Sequence, residues 1–211
     1  MSRFFPERIE TDRLRLEPMY EVDARRFYEI CSDDEGIEEV TEYMPWDPHE
    51  TPAETAEFLD SQAEQWEEGE SAGFAIYPRE GEAGAGEIAG ATALHVDWDR
   101  RLGTIGLWLR KRFWGRGYSG ERAGALLTLA VDDLDLEVVA VTHMTGNENS
   151  RRAIEKYVDR YGGRHEGLLR NFEPADVDAG GAVDAHRYTI AAEEFAANRD
   201  AGPAVSVHFD A

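Results

Sequence analysis

Apolar residues recur along this chain with two periods. A period near two marks strands at residues 9–16, where Leu14 and Leu16 alternate with arginines until Pro18 ends the run, and again at 72–77, 87–96, 104–109 and 138–142. A last hairpin is expected from 164–172 with 184–192, around a polar loop rich in Ala, Asp and Gly. The longer helical period appears at 22–31 and from Thr51, where Pro52 stands in the first turn and Ala56, Phe58, Leu59, Ala63 and Trp66 fall mostly on one face. It returns in the stripe Ala123, Leu126, Leu127, Ala130, Val131 and Leu134, and at about 149–161, which Gly162 and Gly163 end. The acidic run 33–42 and the segment 43–48, with two prolines, read as irregular loop. Short connections make the strands at 72–109 antiparallel neighbours. The pattern predicts a mixed α/β sheet of about seven strands flanked by about four helices, in one domain over 1–196 with a frayed tail over 197–211.

One segment departs from the rest in charge. Residues 110–122 set five cations, Arg110, Lys111, Arg112, Arg116 and Arg122, against the single anion Glu121. Gly115, Gly117 and Gly120 lie in the same stretch, immediately before the helical stripe. Glycines there let main-chain N–H groups approach a ligand, and a helix N-terminus adds free donors and a positive dipole end. A phosphate cradle is the expectation.

Composition sharpens the contrast. The 211 residues carry 44 acids and 22 bases, a net charge of -22, and all the bases but Lys111 and Lys156 are arginine. Such a surface repels itself unless salt screens it, so a cytoplasmic protein of a salt-loving organism is expected. DNA, RNA and anionic membrane are disfavoured as partners, because binding them rests on Lys and Arg contacts, whereas a cationic amine is welcome. Cys31 is the only cysteine, so no intrachain disulfide forms. No stretch has the apolar length of a membrane span, and the N-terminus lacks the apolar run of a signal peptide. The six histidines show no His-x-x-x-His spacing, and no metal is expected.

Gly115, Gly117 and Gly120 match G-x-G-x-x-G, with Glu137 about where a dinucleotide fingerprint wants an acid. The context argues otherwise: Arg-Lys-Arg-Phe-Trp separates strand from glycine, and the preceding strands read as antiparallel. No Gly-Lys-Ser/Thr closes a Walker A loop, and Glu121 stands where a nucleophile elbow needs its last glycine. The alternative for 110–122 is a solvated turn whose cations pair with surplus carboxylates.

Six pieces carry a more specific likeness: Thr-Asp-Arg-Leu-Arg-Leu-Glu-Pro (11–18), Ile-Gly-Leu-Trp-Leu (105–109), Phe-Trp-Gly-Arg-Gly-Tyr-Ser (113–119), Asn-Glu-Asn-Ser (147–150), Glu-Gly-Leu-Leu-Arg (166–170) and Asp-Ala-His-Arg-Tyr-Thr-Ile (184–190). On these the chain resembles the GNAT superfamily of acyl-CoA dependent N-acetyltransferases, nearest its RimJ/RimL-like, ribosomal-protein-alanine branch. The resemblance implies a mostly antiparallel sheet with a splayed parallel pair. It implies acetyl-CoA as cosubstrate, its pantetheine arm on Trp108, Leu109 and Arg110, and its pyrophosphate on Trp114, Gly115, Arg116, Gly117, Tyr118, Ser119 and Gly120. Asn147 would bond the arm and Ser150 would protonate the leaving thiolate; helix capping is the alternative for both. Tyr43 and Trp46 are candidates to line the acceptor pocket, with core packing as their alternative.

One departure bears on mechanism. Related enzymes often place glutamate where this chain has Thr104, so no general base is assigned, and Glu166, Glu173 and His143 are candidates by strand-end position. The expected activity is acetyl transfer to a primary amine, a protein N-terminal α-amine ahead of a small molecule or polyamine, by direct transfer in a ternary complex. A noncatalytic acyl-CoA binding or sensing module is the alternative, and a homodimer is compatible with either.

Overall fold

A computed structural model describes residues 4–174 and 181–209. Nine strands form one sheet: β1 (Arg8–Glu10), β2 (Leu14–Pro18), β3 (Ser71–Pro78), β4 (Gly90–Asp97), β5 (Leu102–Leu109), β6 (Val138–Met144), β7 (Arg164–Pro174), β8 (Ala182–Ala191) and β9 (Ser206–His208). Their order is β7-β8-β6-β5-β4-β3-β2-β1-β9, and β5 with β6 is the one parallel pair among the described residues. Six α-helices accompany them: α1 (Ala24–Asp33), α2 (Ile37–Thr41), α3 (Pro52–Glu68), α4 (Tyr118–Thr128), α5 (Glu148–Arg160) and α6 (Ala192–Asn198).

All eight residues of β3 are buried, which places this strand at the centre of two packed layers. Ala72, Phe74 and Ile76 join one layer with α4 and α5 side chains such as Leu126, Leu127, Ile154 and Tyr157. Ala75 and Tyr77 join the other, with Phe27 and Ile30 of α1 and Leu59 of α3. That alternation is the period-two pattern made physical, successive side chains leaving a strand on opposite faces. Helix ends follow local chemistry. Asp23 caps α1, the Thr51 hydroxyl caps α3 ahead of Pro52, and Gly69 ends α3 with φ 75°.

Four expectations are corrected. The single strand over 9–16 is a hairpin, because Thr11 turns the chain: its N–H donates to the Leu14 carbonyl at 2.8 Å and its hydroxyl accepts from the Leu14 N–H at 3.0 Å. The acidic run holds a short helix, α2, launched from Gly36 at φ 80°. The tail expected to fray from 197 contributes β9, which pairs antiparallel with β1 from Arg8↔His208 to Glu10↔Ser206. Strands therefore number nine and α-helices six among the described residues, above the seven and four read from periodicity. Residues 175–180 of the polar loop after β7 lie outside the described residues.

Candidate active site

The parallel pair is short. β5 and β6 pair from Leu102↔Val138 to Thr104↔Ala140 and then part, β5 staying with β4 as far as Leu109↔Gly90 and β6 with β8 as far as Met144↔Ala185. The strands thus form a fork with Thr104 at its vertex. Main-chain groups alternate sides along a strand. The Arg101 carbonyl accepts from Val138 on the β6 side, while Arg110 N–H donates to Ala89 on the β4 side, so the main-chain groups of Leu107 and Leu109 face the open fork. The Leu109 carbonyl is taken by the Trp114 indole N–H at 2.7 Å. Trp114 therefore fixes the turn out of β5.

Beyond that turn the chain makes a short 3-10 helix (Lys111–Phe113) and reaches α4 through Gly115 at φ 75° and Gly117 at φ 80°. Both glycines are exposed, and a Cβ on Gly115 would meet nothing within 4 Å. Gly117 is the N-cap of α4 and no side chain caps the helix. The N–H groups of Tyr118, Ser119 and Gly120, which have no partner inside the helix, form an open donor cluster.

Contrary to the expectation from charge, the cations of this segment are mostly spent within the chain. Arg110 forms a two-pronged pair with Asp34, Lys111 pairs with Glu39 and Arg112 with Glu87. Arg122 is 2% exposed, its guanidinium over the Tyr157 ring, and burial pushes its pKa down. Arg116 donates to the Ala83 and Arg112 carbonyls at 2.7 and 2.9 Å. Most of these cations serve the chain itself, and what the loop offers an anion is chiefly main-chain N–H.

The loop is braced from far along the chain. Glu121, 6% exposed, accepts from the Thr11 hydroxyl at 2.6 Å, the Arg13 main-chain N–H at 2.8 Å and Arg13 Nε at 2.7 Å. Arg13 Nη1 then donates to the Arg116 carbonyl at 3.0 Å, between the two turning glycines, and its guanidinium lies over the Tyr118 ring. The Tyr118 hydroxyl donates to Glu82 at 2.8 Å, anchoring the loop to the β3–β4 connection. Arg13 and Glu121 were not among the predicted site residues; the signal available was Thr-Asp-Arg at 11–13.

On the opposite arm of the fork, β6 runs into α5. Asn147 caps α5, its Oδ1 accepting from the Ser150 N–H at 3.0 Å, so the capping alternative holds for that atom. The Ser150 hydroxyl, half-buried in the first turn, has no partner among the described residues. The candidate bases lie elsewhere. His143 is buried, with Nδ1 3.0 Å from the Met144 carbonyl and Nε2 3.3 Å from the Tyr188 hydroxyl, and burial holds it below its ordinary pKa. Glu166 sits on edge strand β7, accepting from the Thr189 hydroxyl at 2.7 Å. Glu173 is on β7 too, its side chain outside the described ones. His143 is thus engaged by its own strand and by β8, and Glu166 by β8.

Tyr43 and Trp46 come from the segment after α2 and reach both arms. The Trp46 ring meets Trp108 of β5 at 5.5 Å between centroids, and Tyr43 is the neighbour that a side chain at Gly146, between β6 and α5, would touch at 3.5 Å. The segment therefore spans the mouth of the fork. The sequence model of the acetyltransferase (GNAT) domain matches residues 13–157, both arms of the fork and the glycine loop included.

This chain belongs to the GNAT acetyltransferase family. As a GNAT protein it is 25% identical, over 90% of its length and 99% of the relative's, to p20 of Bacillus licheniformis, an uncharacterized N-acetyltransferase. YdaF of Bacillus subtilis, provisionally named a ribosomal N-acetyltransferase, is 36% identical over 87 residues, which span 41% of this chain and 45% of YdaF. Two solved structures share the fold. A GCN5-related N-acetyltransferase from Brucella melitensis superposes with TM-score 0.74 at 22% identity, covering 95% of this chain and 86% of that one. The acetyltransferase MccE, solved with acetyl-CoA and AMP, gives 0.69 at 17% identity over 85% of this chain and 93% of its own.

Proposed function

We propose that this GNAT protein moves the acetyl group of acetyl-CoA to a primary amine, with a protein N-terminal α-amine the favoured acceptor as in the RimJ/RimL-like branch, and that it does so in the salt-rich cytoplasm its composition suits. The observation that carries the reading is the fork, which offers the main-chain groups of Leu107 and the Leu109 N–H on β5 beside an uncapped, glycine-launched helix. An extended amide-bearing arm can pair with those groups while its diphosphate takes the N–H groups of residues 118–120. Gly115 and Gly117 keep that approach clear.

The reaction then needs three things. The amine nitrogen attacks the thioester carbonyl as the free base, the carbonyl oxygen gathers charge that hydrogen bonds stabilise, and the carbon–sulfur bond breaks as the thiolate takes a proton. Ser150 supplies the last, its hydroxyl uncommitted at the start of α5, and regains a proton from the nitrogen that the attack leaves positively charged. An α-amine with pKa of about 7.7–8.0 needs little help to deprotonate, which suits a fork whose vertex is Thr104 rather than a carboxylate. The test is thiol release from acetyl-CoA in high salt across a panel of N-terminal peptides and small amines. Release with peptides supports the assignment, and release with small amines alone moves the acceptor class.

A second reading, a noncatalytic acyl-CoA sensor, draws on the same missing carboxylate and on base candidates already engaged by groups of β6 and β8. Tight acetyl-CoA binding without turnover across that panel would favour it.

A further inference from the structure

The reacting nitrogen must shed its proton, yet the segment over the fork is built to attract positive charge. Residues 33–54 hold nine carboxylates and no lysine or arginine. Asp34 and Glu39 are spent on Arg110 and Lys111, whereas Glu38, Glu42, Asp47 and Glu50 are exposed and no lysine or arginine pairs with them among the described residues. Opposite charge nearby stabilises the protonated form of an amine, so this rim works against the nitrogen that has to attack. It helps an acceptor that carries a second, permanent cation.

The same face holds a place for one. Five rings close a circuit: Phe27 to Phe58 at 6.2 Å, Phe58 to His49 at 6.0 Å, His49 to Trp46 at 5.7 Å, Trp46 to Trp108 at 5.5 Å and Trp108 back to Phe27 at 6.0 Å. A regular five-membered circuit with edges of that length has its centre about 5 Å from each centroid, inside the ~6 Å reach of a cation–π contact. Within the circuit Phe27 and His49 are buried, while Trp46, Phe58 and Trp108 keep part of their surface exposed. His49 is the one titratable member; its Nδ1 meets the buried Thr55 hydroxyl at 2.7 Å, and burial lowers its pKa, so near neutral pH it adds no competing charge.

We propose that the acceptor is at least dicationic: one amine enters the fork and is acetylated, while a second ammonium or guanidinium group docks against Trp46, Phe58 and Trp108 under the carboxylate rim. This rests on the acetyl-transfer reading above, and it names the chemistry that reading leaves open. Two sources offer it, a small diamine or polyamine and a peptide whose N-terminal residue is followed by lysine.

The experiment compares matched pairs at saturating acetyl-CoA: 1,4-diaminobutane against 1-aminobutane, and Ser-Lys-amide against Ser-norleucine-amide. In at least one pair kcat/KM should favour the dication by about tenfold or more, and which pair does so identifies the source. Phe58→Leu should shrink that ratio severalfold while leaving acetyl-CoA affinity and the monocation rate within twofold. Equal rates within both pairs would overturn the proposal and leave acetyl transfer standing. An unchanged ratio in folded Phe58→Leu and Trp46→Leu would overturn the aromatic docking. Transfer to none of the four compounds, with turnover elsewhere in the peptide and amine panel, would overturn this proposal alone, whereas acetyl-CoA binding without turnover across that whole panel would overturn the enzyme reading.

Discussion

Removing the carboxylate of Glu121 should loosen the glycine loop without touching any residue of the fork. In Glu121→Ala the Thr11 hydroxyl and the Arg13 main-chain N–H lose their shared acceptor in a site only 6% exposed. Each buried donor left unmet costs about 1–3 kcal/mol. The ion pair itself adds about 1 kcal/mol at most, because the Arg13 side chain is 38% exposed and solvent screens it. The sum is roughly 2–7 kcal/mol, or a midpoint lowered by roughly 5–25 °C for a chain of this size. Glu121→Gln retains one carbonyl oxygen and should cost roughly 1–2 kcal/mol. Arg13, no longer held, also releases the Arg116 carbonyl, and losing about 1 kcal/mol of loop order would weaken acetyl-CoA about fivefold. Urea unfolding and calorimetric titration of both variants in high salt measure the two effects separately. Wild-type affinity in folded Glu121→Gln would refute the brace, and Glu121→Ala within 1 kcal/mol of wild type would refute the energetic argument.

Three further outcomes follow from the same geometry. Gly117→Asp should abolish acetyl-CoA binding, since φ 80° strains any L-residue and a carboxylate there repels phosphate, whereas Gly120→Ala, whose Cβ meets only Tyr157 at 3.8 Å, should bind within a fewfold of wild type; titration of the pair checks both. Ser150→Ala should lower kcat with little change in KM for acetyl-CoA, because the hydroxyl is uncommitted in the structure and acts only as the thiolate leaves; equal turnover would reduce it to a helix residue. Burial lowers the pKa of His49 and His143 below 6.5, so the unfolded chain binds more protons between the lowered values and 6.5. Stability should therefore fall as pH drops through that window, and His143→Gln should flatten the urea midpoint against pH there.

What the chain disclosed before folding was whatever its neighbours in sequence decide. The glycine loop was legible because positive φ and an uncapped helix start are local demands, met by Gly115 and Gly117 within a few residues of the α4 stripe. The destination of charge was not legible. Arg110 reads as a phosphate ligand until Asp34, 76 residues earlier, is seen beside it. The brace lies further still from local reasoning: Glu121 meets Thr11 across 110 residues, and in sequence its carboxylate is merely the one anion among cations. β9 escaped for the same reason, three residues long and stabilised by β1 at the other end of the chain. The fork lies between these extremes, since the lengths of β5 and β6 were read closely while their parting after Thr104 depends on which neighbours, β4 and β8, keep hold of each strand. An alanine at position 13 would leave the fork's local pattern intact and still take away the side-chain contact that holds the Arg116 carbonyl, so the residue controlling loop geometry is one that local patterning assigns to the polar face of a strand.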